Sequence, residues 1–140
     1  MPDVIFVQSG PINFDGGVPV GGWSNVAIYP DGRYSFSGHF HDSGEIPYET
    51  SVIWWIKSKS GTVFTFGNHV SMGGIFTSGN ADFALNGVNS AIAAAWGDLS
   101  AGWTSNWSSR ASIDLGSLWD SVKASLGAVG SIVAVVGALA

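Results

Sequence analysis

Two histidines two residues apart stand in the run Gly38-His39-Phe40-His41-Asp42-Ser43-Gly44, and a third, His69, follows in Asn68-His69-Val70. On an extended chain alternate side chains share a face, so His39 and His41 project together. With a third imidazole from a neighbouring strand they could hold a metal through three nitrogens and leave a fourth position open. The spacing has no second signature beside it, so no metal and no cofactor is assigned. His39, His41, Asp42 and His69, with Trp55, are read instead as a candidate ligand-binding set. A nucleophilic reading of Ser43, His41 and Asp42 fails on geometry, because adjacent residues of an extended strand point apart. Asp42-Ser43-Gly44 reads better as a turn in which the carboxylate takes local backbone N–H groups. Glu45 and Glu49 flank Pro47 in an apparent loop, where acids are ordinarily solvated. No catalytic residue is assigned, and the chain is read as non-enzymatic.

Tryptophan is the other residue type that could recognise something, and there are 7. Trp23, Trp54 and Trp55 fall in the first half, where an exposed indole could stack on a sugar ring. Trp96, Trp103, Trp107 and Trp119 fall in the second half, where indoles would suit a membrane interface. The Asn106-Trp107-Ser108 sequon carries little weight without a signal peptide.

Composition narrows the classes. The chain has 140 residues, of which 46% are hydrophobic and only 11% charged, and its formal net charge is -5. With no block of Lys or Arg there is no electrostatic footprint for nucleic acid, and nucleic-acid binding is excluded first. The 20 glycines suit tight turns, and the absence of cysteine removes disulfides and thiolate chemistry. Met1-Pro2-Asp3-Val4-Ile5-Phe6 has no basic region and no long apolar stretch behind it. Synthesis without a secretory signal is therefore expected, with membrane association or a non-classical release route as the ways out of the cytosol.

The elements that must position these residues begin as strands. Trp23 to Ile28 and Arg33 to His41 flank Tyr29-Pro30-Asp31-Gly32, a turn in which Pro presets φ and Gly accepts a positive one. On the return strand Tyr34, Phe36, Gly38 and Phe40 share a core face, while Ser35, Ser37, His39 and His41 share a wet or functional one. A second hairpin pairs Tyr48 to Ile56 with Thr62 to Phe66 across Lys57-Ser58-Lys59-Ser60-Gly61. Its first strand is apolar on both faces from Ser51 to Ile56, which predicts a central strand covered on both sides, with the downstream helices as the natural cover.

Near Ser78-Gly79-Asn80 the pattern changes. Val88, Ile92, Trp96, Leu99, Trp103 and Trp107 lie three or four apart, which is helical spacing, with Asn86 or Asn89 as cap and Gly102 as break. A second helix is expected after Arg110, capped by Ser112 or Asp114. Leu115, Trp119, Val122, Leu126, Val129, Val133, Val136 and Ala140 then follow at steps of four and three, and no charge occurs after Lys123. At about 1.5 Å per residue the uncharged run would give roughly 25 Å of helix, a marginal membrane span. Gly130, Ala134 and Ala138 place small residues at every fourth position, as close helix packing in membranes requires.

The expected fold is therefore α+β, with an antiparallel β meander over residues 1–79, a small barrel or sandwich. A C-terminal helical hairpin over 80–140 follows it, its last helix strongly apolar over 124–140. The function expected first is a homo-oligomer that binds or inserts into membranes in the manner of a pore-forming toxin. Its contacts would be Trp103, Trp107, Trp119, Leu126, Gly130, Ala134, Val136 and Ala138. Two alternatives stand beside it: self-assembly through a helical core shared between subunits, and a carbohydrate-binding module that uses the β half.

Overall fold

The computed structural model describes residues 3–14, 17–73 and 79–139. In chain order they form β1 (Ile5–Gln8), β2 (Ile12–Asn13), β3 (Val20–Ile28), β4 (Arg33–Asp42), β5 (Tyr48–Ser58), β6 (Thr62–Met72) and β7 (Asn80–Val88). The short helices α1 (Ser90–Ala94) and α2 (Trp96–Ala101) follow, then β8 (Trp103–Ala111), α3 (Leu115–Lys123) and β9 (Ser131–Val136). One sheet runs β1-β3-β4-β7, with β2 also on β3, and the other runs β8-β5-β6-β9.

Both hairpins form where turn chemistry places them. In the first, Gly32 N–H donates to Tyr29 O and Tyr29 N–H to Arg33 O, each at 3.0 Å. Asp31 accepts the Arg33 N–H at 3.1 Å and the guanidinium at 2.6 Å. Gly32 sits at φ +91, and a Cβ there would come within 2.6 Å of Asn89 O, so both its conformation and its space demand glycine. The second hairpin pairs Tyr48 with Met72 through to Lys57 with Val63. Its loop is tied down by Asp98 of α2, whose carboxylate accepts from the Ser60 N–H and hydroxyl. Hydrogen bonds from Ser58 and Ser60 hold Asp98 below the usual carboxylate range.

The inward faces of the two sheets meet in one core. Ile5, Val26, Ile28, Phe36 and Phe40 come from the first sheet, and Val52, Trp54, Ile56, Phe64 and Phe66 from the second. Ile92, Trp96 and Leu99 of α1 and α2 are buried in the same core. One buried polar link crosses between the sheets: Trp54 Nε1–H donates to Ser24 Oγ at 3.1 Å, and Ser24 Oγ–H donates to Ser37 O at 2.9 Å. Every partner in that chain is hydrogen-bonded, so its burial carries no orphaned group.

The outward face of the second sheet has a core of its own. Ile53 and Val63 are fully buried there against Leu118, Trp119, Val122, Leu126 and Leu139. The doubly apolar strand from Ser51 to Ile56 is thus covered on both sides, as its sequence requires. Since β8 is antiparallel to β5 and β5 to β6, β8 runs parallel to β9, which lies parallel to β6 at the opposite edge. Parallel strands cannot be joined by a tight turn, and the β8–α3–β9 connection crosses the sheet with α3 as the cover.

The expected α+β fold with a helical hairpin over 80–140 is corrected: the described residues form two β-sheets with three short helices. Asn89 does cap a helix, accepting from Ala91 N–H, Gly102 does end one, and Asp114 does cap α3, accepting from Ser117 N–H. But Val88 ends β7, Trp103 and Trp107 lie in β8, and the apolar tail becomes β9 between loops rather than a last helix. Glycines at positive φ, Gly127 and Gly137, bracket a run rich in β-branched residues, Ile132, Val133, Val135 and Val136, which prefers a strand. Trp119 and Leu126 are buried within the chain itself. Gly130 donates its N–H to Gly61 O at 2.8 Å, and Ala134 and Val136 pair with Thr65 and Phe66. Ala138 has φ +54, outside any helix.

Leu118→Ala, which removes a fully buried side chain between α3 and the second sheet, is expected to lower stability by about 2–5 kcal/mol. Val88→Ala, at an exposed site, should stay within about 0.5 kcal/mol in the same urea titration. Asp114 is held below its ordinary value of 3.8, first by the Ser117 backbone N–H and then by the Ser117 hydroxyl. A depressed carboxylate stabilises the fold above its unfolded value, and that stabilisation is lost as pH falls through the folded one. Asp114→Asn should therefore melt below the parent at about pH 7, and the gap should close by about pH 2 in thermal melts.

Candidate functional site

The outward face of the first sheet is built by alternation and register alone. Trp23 of β3, His39 of β4 and Asp82 of β7 are direct neighbours across three strands. One step along the same face lie Gly21, His41 and Asn80, and one step the other way lie Asn25, Ser37 and Ala84. Gln8 of β1 extends the last of these rows beyond Asn25. Strands β3 and β4 approach closely at Gly22, where a Cβ would fall 1.9 Å from His39 O. Only glycine allows that pairing, and it sets Trp23 beside His39.

The two histidines are held alike. His39 Nδ1–H donates to Asp82 Oδ1 at 2.5 Å, and His41 Nδ1–H donates to Asn80 Oδ1 at 2.7 Å. Because these acceptors come from β7, both rings are braced by the edge strand, and Nε2 is the nitrogen left to face a ligand. The Trp23 and His39 rings lie 6.4 Å apart at 31°. Trp23 is 41% exposed, and Phe6, outward on β1, is 52% exposed. Beside the indole lies a cavity of about 380 Å³ lined by Gln8, Gly10, Pro11, Gly22, Trp23 and Asn25. Its size falls in the range of roughly 300–1,000 Å³ usual for small-molecule sites.

Of the five residues singled out from sequence, only His39 and His41 share this face. Asp42 alternates to the inner side and is fully buried, with Oδ1 accepting Gly44 N–H at 2.8 Å, the turn bond its sequence suggests, and Oδ2 without a partner. Trp55 points outward from the second sheet and packs, half-buried, on the α3 cluster. His69 also faces outward from the second sheet, directly opposite Ser51, so the sandwich core separates it from the other two histidines. A three-histidine metal site is thereby ruled out, and among the described residues no three His, Asp or Glu groups come together to hold an ion.

Residues beyond the histidines complete the face. Asp82, Asn80, Asn25 and Gln8 supply carboxylate and amide groups. The signal for Asp82 and Asn80 was present in the alternation of Asn80, Asp82, Ala84 and Asn86 with Ala81, Phe83, Leu85 and Gly87, which is strand periodicity. Of the tryptophans read as membrane or oligomer contacts, Trp107 packs on Trp54 with ring centroids 6.3 Å apart, and Trp103 is 40% exposed at the end of β8. No known family model, no curated protein and no solved structure matches this chain, so the reading of the site rests on its own residues.

Proposed function

We propose that the chain is a non-catalytic glycan-binding module that seats a neutral pyranose ring on Trp23. The observation that carries this reading is the exposed indole at the middle of an uncovered, polar sheet face, next to a cavity whose walls include two side-chain amides. One face of a pyranose is a patch of C–H groups, which suits the π-face of an indole, and its rim is hydroxyls that both donate and accept. Gln8 and Asn25 can do both as well, Asp82 accepts, and the His39 imidazole presents a second nitrogen. Braced rings on paired strands keep these groups in place before the ligand arrives, which limits the ordering cost of binding.

The membrane reading drawn from the tail is not carried forward. Its inserting element is β9 rather than a helix, and among the described residues no helix is long and apolar enough to cross a membrane.

Trp23→Ala tests the proposal. On a glycan array the parent should retain at least one neutral oligosaccharide, and the variant should bind it at least about tenfold more weakly, the loss of roughly 1.4 kcal/mol of stacking. Its circular dichroism and melting temperature should stay unchanged, since the side chain packs in neither core. Binding that survives the substitution intact, or a parent that retains no glycan, would overturn the reading.

A further inference from the structure

On the other side of the molecule a cleft of about 710 Å³ opens where β5 begins, β6 ends and the chain enters α3. His69 stands at its floor, and its two nitrogens have different surroundings. Nδ1 lies 2.7 Å from Ser51 Oγ, and Ser51 Oγ lies 2.8 Å from the carbonyl oxygen of Ile113. Ser51 is fully buried and has one proton to give, and the Ile113 carbonyl can only accept. The arrangement that satisfies both contacts has the serine donating to Ile113 and His69 Nδ1–H donating to the serine. In the neutral imidazole Nε2 then carries a lone pair, turned toward Glu49 Oε2 at 3.6 Å. Two acceptors thus lie close enough for a single donor group beside them to bridge both.

The charge around this pair has one sign. Among the described residues, β5 supplies Glu49, the segment leading into α3 supplies Asp114, and β6 supplies, beside His69, the hydroxyl of Ser71, which donates to Glu49 Oε1 at 3.4 Å. Among the described residues no Lys or Arg lines the cleft. Apart from Ser112, the rest of the wall is apolar or aromatic, with Pro47, Tyr48, Met72 and Ile113. A transition-metal ion would be short of ligands here, since among the described residues no three metal-binding side chains converge. A primary ammonium needs only acceptors for its three N–H groups, and an alkyl stem behind it would lie along the apolar wall.

We propose that this cleft binds a primary ammonium group carried on an alkyl chain, whether a lysine side chain or a free alkylamine. The ammonium donates to His69 Nε2 and to Glu49 Oε2, with Asp114 adding to the negative field.

Calorimetric titration of the full chain with pentylamine, and with pentanol as the uncharged analogue, tests this. The expected result is saturable binding of the amine alone, at least about tenfold weaker in Glu49→Gln and in His69→Gln, and unchanged in Trp23→Ala. Equal heats from amine and alcohol, or an affinity that Glu49→Gln leaves intact, would overturn the proposal. Because Trp23 lies on the far sheet, the fate of glycan binding does not enter the result.

Discussion

A strand that is apolar on both of its faces cannot be left with water on either. Val52, Trp54 and Ile56 look into the space between the sheets, and Ile53 with Trp55 looks the other way, so the sheet built on β5 needs two covers. The first sheet supplies one. The other has to come from later in the chain, and α3 supplies it by crossing from β8 at one edge to β9 at the other. The parallel pairing of β9, the burial of Leu126 and Leu139 and the capping of α3 by Asp114 all follow from that single requirement.

The first sheet is under no such demand. Its outward side chains are largely polar, with Trp23 and Phe6 exposed among them, so the face can stay wet, and the described residues are asymmetric: they enclose one sheet and leave the other open. The three histidines reflect this division. Each is fixed through Nδ1, by Asp82, Asn80 or Ser51, yet two lie on the open face and one lies on the enclosed sheet beside the entry to α3. Fixing one nitrogen decides the tautomer and aims the other, so the rings are oriented at both sites without a ligand present.

The two hairpins of the first half were legible because their signals are local, whereas their division between two sheets was not. Pro30-Asp31-Gly32 fixes a turn, and strict alternation from Tyr34 to His41 sorts one strand into core and surface. The caps Asn89 and Asp114 were legible for the same reason, each needing only a side chain within a few residues. The second half misled because a spacing of four is even. Trp103 and Trp107 share a face on a strand as well as on a helix, and the polar Thr104, Asn106, Ser108 and Arg110 on the alternate positions fit the strand. In the tail the glycines and β-branched residues argued for a strand against a stronger impression of unbroken hydrophobicity. His69 could not be placed from sequence, because which outward face receives it depends on how the two hairpins divide between sheets, and that is a tertiary decision.

The pairing of β9 with β6 joins residues such as Thr62 and Ser131, 69 positions apart. A nascent chain can assemble both hairpins as they leave the ribosome, but Ile53 and Val63 stay bare until residues 115–139 have been made and folded across them. Long-range parallel pairing is intrinsically slow, and an uncovered apolar sheet is what chaperones hold and aggregates recruit. The price of a sheet enclosed from both sides is thus a window, during biogenesis, in which the molecule is most exposed at its most hydrophobic strand.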